Sequence, residues 1–353
     1  MTKTNPGNFF EDFSLQRKIT HAAPRTLTEG DVSLYTALTG SRFALQSADT
    51  FAMDIGYPAA PVDDFLVFHM VFGKSVADIS LNAVANLGYA DCRFPAPVFP
   101  GDTLSASSQV IGLRQLSSGK AGVVYVRTTG VNQAGETVLE FVRWVMVSKR
   151  DADAAAPETH IPELPDRVAP DRLAAGLPPI DAGAYDVALA GAPFLWGDYS
   201  PGEKIDHIDA MTVEEAEHQI ATRLYQNTAK VHFNAHAQKE SRFGRRLVYG
   251  GHVISLARAL SFNGLANAFH IAAINSGAHA APCFAGDTVY AWSEILEREE
   301  IPGRTDVGAL RIRTLATKDL PCADFPYKTA EGAYAEGVLL ELDYWAVLPR
   351  ANA

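Results

Sequence analysis

The residues best equipped for chemistry lie between Arg223 and Leu260, in RLYQNTAKVHFNAHAQKESRFGRRLVYGGHVISLARAL. His232 ends a polar turn there, and imidazole is the side chain whose ordinary pKa lets it exchange protons near neutral pH. Asn227, at the start of the same turn, can orient a water through its amide but cannot accept a proton. After a second polar loop, Tyr249-Gly250-Gly251 opens an apolar helix running through Val253 to Leu260, whose first backbone N–H groups suit a developing negative charge. Together these parts fit proton transfer beside a buried substrate.

The elements that position them become clear once the chain is compared with itself. Pro24–Ala48 aligns with Ala210–Asn234 at a constant offset of 186, so that Thr26 meets Thr212, Glu29 meets Glu215, Leu38 meets Leu224 and Gln46 meets His232. Asp12-Phe13 falls on Asp198-Tyr199 at the same offset, and PVFPGDTLSASSQVI from Pro97 matches PCFAGDTVYAWSEIL from Pro282 at 185. The chain therefore reads as two copies of one fold. Residues 1–150 form an N-terminal domain, a Pro/Ala-rich linker occupies 151–190, and 191–353 form a C-terminal domain with the histidine turn.

Each copy predicts the same order of elements. TLTEGDVSLYTALT carries a helix start, Thr followed by acidic residues, ahead of apolar residues at helical spacing. DDFLVFHMVFGKSVADIS in one copy and GGHVISLARALSFNGLANA in the other are apolar nearly all round, which predicts a buried central helix. Strand-like runs follow, SASSQVIGLRQ, AGVVYVRTTGVNQ and ETVLEFVRWVMVSK, then VYAWSEILEREE, GALRIRTLATK and GVLLELDYWAVLP. The expectation is an α+β fold with an antiparallel sheet curved around its helix.

Composition narrows the function classes. With 30 basic against 41 acidic residues, a net charge of −11, no overall positive field draws the chain to nucleic acid or an anionic membrane. A hydrophobic fraction of 47% supplies a sizeable core, yet no stretch approaches the roughly 18 apolar residues of a membrane span. Three dispersed cysteines, Cys92, Cys283 and Cys322, without a CxxC pair, argue against a disulfide framework or zinc site. With no signal-like apolar segment at the start, a cytoplasmic protein is expected.

These blocks resemble the MaoC-type hydratases of the hot-dog fold, arranged here as a double hot-dog. The resemblance is carried in both halves by TLTEGDVSLYTALTG and its counterpart, the turn holding His232, the small-residue helix, and the strand opened by PGDT or AGDT. Within that family, FFEDF, TLTEGDVSLY, VYGGHVISLARAL and NSGAHAAPCFAGDT look most like the mesaconyl-CoA hydratases. What this implies is a hydro-lyase for an acyl-CoA substrate, with mesaconyl-CoA and β-methylmalyl-CoA as the expected pair and no metal or redox cofactor. Hydration of ordinary 2-enoyl-CoA chains, a non-catalytic acyl-CoA-binding or assembly subunit, and a thioesterase stay open as alternatives. Pairing of the two copies gives a pseudo-dimer, and further homo-oligomers are open.

The family's turn reads Asp-x-Asn-Pro-apolar-His, its Asp and His handling water. Here His232 stands at the family histidine, but Asn227 replaces the aspartate and Ala229-Lys230 the Asn-Pro pair; the first copy has Ser41 and Gln46. The resemblance therefore places the site in the second copy, with His232 and Asn227 as its chemical pair. A missing carboxylate could enter from Asp63 or Asp64 of the first copy, or these could simply cap a helix. Gly250, Gly251 and His252 stand where a thioester oxygen could be held, although the glycines could equally serve close packing. A substrate with a free carboxylate, or the phosphates of coenzyme A, calls for a cation, with Arg42, Arg223, Arg242, Arg245 and Arg246 near the turn.

Overall fold

The structure is a computed structural model that describes residues 3–351. Ten strands form one antiparallel sheet: β1 (Lys18–Thr26), β2 (Ala83–Arg93), β3 (Thr103–Gln115), β4 (Ala121–Val131) and β5 (Thr137–Ser148) from the first copy, then β6 (Lys204–Thr212), β7 (His270–His279), β8 (Thr288–Glu300), β9 (Val307–Lys318) and β10 (Val338–Pro349) from the second. Their order is β1-β3-β4-β5-β2-β7-β10-β9-β8-β6, the same half-sheet written forwards and then backwards. β2 and β7 join the halves, pairing Tyr89 with Gly277 and Cys92 with Ile274. The result is a double hot-dog, each half-sheet wrapped around its own helix.

The long strands form where β-branched and aromatic residues alternate, as the sequence predicts, but β2 and β7 carry little of that signal. AVANLGYADCR and HIAAINSGAH are rich in Ala, Gly and Asn. They are strands because the junction needs close backbone approach: a Cβ on Gly277 would lie 2.9 Å from the Tyr89 ring. The outer strands β1 and β6 are short and polar, and their positions at the sheet edges tolerate that composition.

Five helices matter for the site. α1 (Glu29–Thr39) starts at Thr28, whose hydroxyl accepts from Asp31 N–H while the Asp31 carboxylate accepts from Thr28 N–H. α2 (Asp64–Ser75) is the first copy's central helix, buried throughout from Phe65 to Ser75. α3 (Glu215–Leu224) is the counterpart of α1, α4 (Lys230–Phe233) is the single turn holding His232, and α5 (Gly250–Leu260) is the second central helix, buried from Gly251 to Leu260. All-round burial explains why both central helices lack a polar face.

The two central helices meet. His69 Nε2 of α2 lies 2.9 Å from Ser255 Oγ of α5, and Tyr35 donates to the same hydroxyl at 2.9 Å. In the Pro/Ala-rich stretch, Val168, Leu173, Leu177 and Ile180 are buried against Leu45, Phe51, Ile55 and Tyr57 of the first copy. Among the described residues no helix is long and apolar enough to cross a membrane.

Candidate active site

A cavity of about 560 Å3 opens between the copies, within the range of small-molecule sites. The second copy lines it with Asn227, His232, Arg242, Tyr249, Gly250 and His279, and the first copy with Phe72, Val76, Asn86, Tyr89 and Arg143. The region around Gln46, the first copy's counterpart of His232, holds a pocket of only about 10 Å3, also lined by Gly176. Filling by the covering stretch and by Phe94 and Tyr57 thus leaves that copy without room for a substrate. Gln46 instead donates to the Phe269 carbonyl at 2.7 Å.

The histidine turn is fixed by the backbone. α3 ends at Leu224, Gln226 just beyond it lies in the left-handed region at φ 55°, and Asn227 N–H turns back to the Thr222 carbonyl at 3.1 Å. Asn227 Oδ1 accepts from Ala229 N–H at 3.0 Å, which orients the amide so that its NH2 is left for another partner. Leu247 N–H bonds the Val231 carbonyl at 3.0 Å, and the Leu247 carbonyl lies 3.1 Å from His232 Nδ1. A carbonyl can only accept, so Nδ1 carries the proton and donates. Nε2 is then the basic nitrogen, on a half-buried residue that lines the cavity.

Burial pushes the His232 pKa down to about 4; the Leu247 bond raises it in part, while His218 and His279 lower it further. His279 is likewise pushed down to about 4 by burial, and its Nε2 lies 3.2 Å from the Tyr89 hydroxyl. Both imidazoles are therefore neutral at neutral pH. His232 offers a lone pair and, once protonated, a strong acid.

At the start of α5 no side chain caps the helix, because Tyr249 occupies the cap position without bonding an N–H. The first copy differs at the aligned residue: Asp63 Oδ1 accepts from Phe65 N–H at 2.9 Å and closes that helix end with its own carboxylate. Uncapped N–H groups beside a cavity provide a site for an oxyanion. Gly250 permits this, since a Cβ there would stand 2.5 Å from the His279 ring.

The structure brings together His232, Asn227, Gly250 and Arg242 of the residues singled out from the sequence. Gly251 packs against Tyr249 and His69, where a Cβ would clash. His252 turns away from the cavity and reaches Glu217 at 3.1 Å, so it ties α5 to α3. Asp63 is taken up by its cap and by Tyr35 at 3.3 Å, and Asp64 accepts from Ile271 N–H at 2.7 Å beside His270. Neither reaches the cavity as a carboxylate for His232. Arg245 stacks on Phe284 at 3.9 Å, Arg246 is engaged by Glu215 and Gln219, and Arg42 lies over Phe262.

Sequence reasoning missed Arg143, His279, Tyr89 and Asn86. A signal existed for Arg143: Leu139, Phe141, Arg143, Val145 and Val147 share the buried phase of β5, so a charged residue sits where the alternation demands an apolar one. His279 ends β7 within the block NSGAHAAP, but nothing in its spacing marks it.

A family model described as mesaconyl-CoA hydratase matches residues 1–179. The chain is 65% identical over 348 residues to a β-methylmalyl-CoA dehydratase from Chloroflexus aurantiacus, covering 99% of each. It is 59% identical over 352 residues to a mesaconyl-CoA hydratase from Cereibacter sphaeroides, covering 99% of this chain and 100% of that one. Among solved structures, a MaoC-domain dehydratase from Chloroflexus aurantiacus superposes with a TM-score of 0.97 at 64% identity over 100% of both chains. A Mycobacterium tuberculosis protein described as a double hot-dog fold superposes at 0.73 with 26% identity, covering 98% of this chain and 99% of that one.

Proposed function

The chain belongs to the mesaconyl-CoA hydratase family, and from that premise we propose that it interconverts mesaconyl-CoA and β-methylmalyl-CoA through proton transfer at His232. The observation that carries the mechanism is the convergence of a tautomer-fixed imidazole and an uncapped helix N-terminus on one cavity.

In the hydration direction, His232 Nε2 takes a proton from water as the water oxygen bonds to the β-carbon. Electrons of the double bond move toward the thioester oxygen, where the first N–H groups of α5 stabilise the enolate. The imidazolium then returns the proton to the α-carbon, leaving the enzyme unchanged. Burial makes His232 a weak base but a strong acid, so the demanding step is water activation. Asn227 supports that step by donating its free NH2 to the water oxygen. The reaction is redox-neutral, and the proposal asks for no electron-carrying group and no metal. Arg242, at the exposed rim of the cavity, suits the phosphates of coenzyme A. Three free, buried cysteines fit the reducing cytoplasm as its location.

Incubating the protein with mesaconyl-CoA tests the reading directly. Loss of the conjugated enoyl thioester absorbance, with a product one water heavier, is expected. An unchanged thioester would refute it, and release of free thiol would indicate a thioesterase instead.

A further inference from the structure

Arg143 lies on β5 of the first copy, fully buried, and lines the same cavity as His232. Its guanidinium has only neutral partners: Ser75 Oγ at 2.8 Å, Ser80 Oγ at 3.3 and 3.4 Å, and the Phe72 ring 4.2 Å below it. No carboxylate pairs with it among the described residues, and Nε has no acceptor at all. The other arginines of the sheet that are not exposed are different. Arg93 and Arg127 share Glu140, while Arg311 bridges Glu297 and Asp343. Burying a charge without a counter-charge costs several kcal/mol, so a lone buried guanidinium facing a substrate-sized space implies an anionic occupant.

The repeat sharpens this. β5 and β10 align through Trp144 and Trp345, which sets Arg143 against Tyr344. Tyr344 is neutral and spends its hydroxyl on Thr314 at 3.1 Å. The second copy's buried guanidinium, Arg258, comes from α5 instead, is taken up by the Ala268 carbonyl, Ser261 and the Phe43 ring, and does not line the cavity, so the unspent charge belongs to the copy whose strand faces the open cavity. Arg143 is also fully buried, whereas Arg242 and Val84, the latter 63% exposed, line the cavity at the protein surface.

We infer that Arg143 is the anchor for the free carboxylate of the acyl group, gripping it through Nε and a neighbouring Nη and making the enzyme selective for dicarboxylic acyl thioesters. This rests on the proposed hydration of mesaconyl-CoA, whose acyl part ends in such a carboxylate. The first copy, which has lost its own pocket, then contributes the specificity of the second. A monocarboxylic chain would leave the guanidinium buried and unpaired, a strong basis for rejection.

The test compares Arg143→Met, whose stem still covers Phe72, and Arg143→Lys with the natural protein. Binding of two unreactive thioesters, succinyl-CoA and butyryl-CoA, is measured by calorimetry beside mesaconyl-CoA turnover. The natural protein should prefer succinyl-CoA, and Arg143→Met should lose that preference by about 30-fold or more while keeping its affinity for butyryl-CoA. Arg143→Lys should retain part of it, because a point charge replaces a fork. An unchanged preference in either folded variant overturns the inference; if Met at this position prevents folding, the lysine variant alone decides by the same ratio. Failure of the natural protein to turn over mesaconyl-CoA would instead refute the proposed function, which the binding ratio does not use.

Discussion

Replacing Asp63 by Asn separates the capping role of this carboxylate from a chemical one. Asp63 Oδ1 accepts from Phe65 N–H at 2.9 Å and from the Tyr35 hydroxyl at 3.3 Å, and an asparagine oxygen can accept both. Burial, reinforced by Asp64, pushes the Asp63 pKa up to about 6 from 3.8, against the lowering effects of Arg258 and the two hydrogen bonds. The native state therefore holds this proton more tightly than the unfolded chain. Its contribution to stability is complete at acid pH and is lost as the pH rises through about 6, beyond which the ionised carboxylate costs about 3 kcal/mol, at about 1.4 kcal/mol per tenfold in acidity. Asparagine removes that cost, while its unpaired NH2 takes back about 1 kcal/mol. Urea unfolding at pH 7.5 should thus show Asp63→Asn more stable by about 2 kcal/mol, with the advantage gone by pH 4. Mesaconyl-CoA hydration should stay within about threefold of the natural rate, since a side chain outside the cavity makes no contact in the transition state. An equal stability change at both pH values would refute the electrostatic reasoning. A hundredfold loss of activity would restore Asp63 as the acid–base partner of His232.

Two further substitutions probe the site. Asn227→Asp keeps the acceptor for Ala229 N–H and adds a negative charge beside the turn, so the His232 pKa should rise and the acidic limb of kcat/KM should move up by about one pH unit; an unmoved limb would separate Asn227 from His232. Gly250→Ala forces a methyl group to within 2.5 Å of His279 and should lower stability by about 1–3 kcal/mol and kcat/KM at least about tenfold, whereas Gly197→Ala, with nothing within 4 Å, should change neither. Melting curves and steady-state kinetics read both effects.

Much of the fold was legible because the repeat pinned element against element. Thr28 and Asp31 announced α1, and the all-round apolar segments announced α2 and α5. β2 and β7 were hidden, since strands chosen for close approach use small residues that carry no β signature. At the site, His232 was legible through its register with Gln46. Asp63 is the cap its place before α2 allowed, through Phe65 N–H, whereas the contacts that hold it to Tyr35 and His252 to Glu217 are ones no linear spacing reveals. Arg143 stood in the buried phase of β5 from the start, but only the fold brings a first-copy strand to the second copy's cavity.

His232→Gln tests the account most directly, because it installs the residue that occupies the aligned position in the pocketless copy. With a base of depressed pKa, the natural protein should hold its kcat/KM from neutral pH downward and lose it as the pH falls through about 4, where His232 becomes protonated. The variant should lose about 10²–10⁴-fold in kcat/KM for mesaconyl-CoA at pH 7.5, while remaining folded and binding succinyl-CoA normally. A folded His232→Gln protein that hydrates mesaconyl-CoA at more than about one-tenth of the natural rate would contradict the assignment of proton transfer to this histidine.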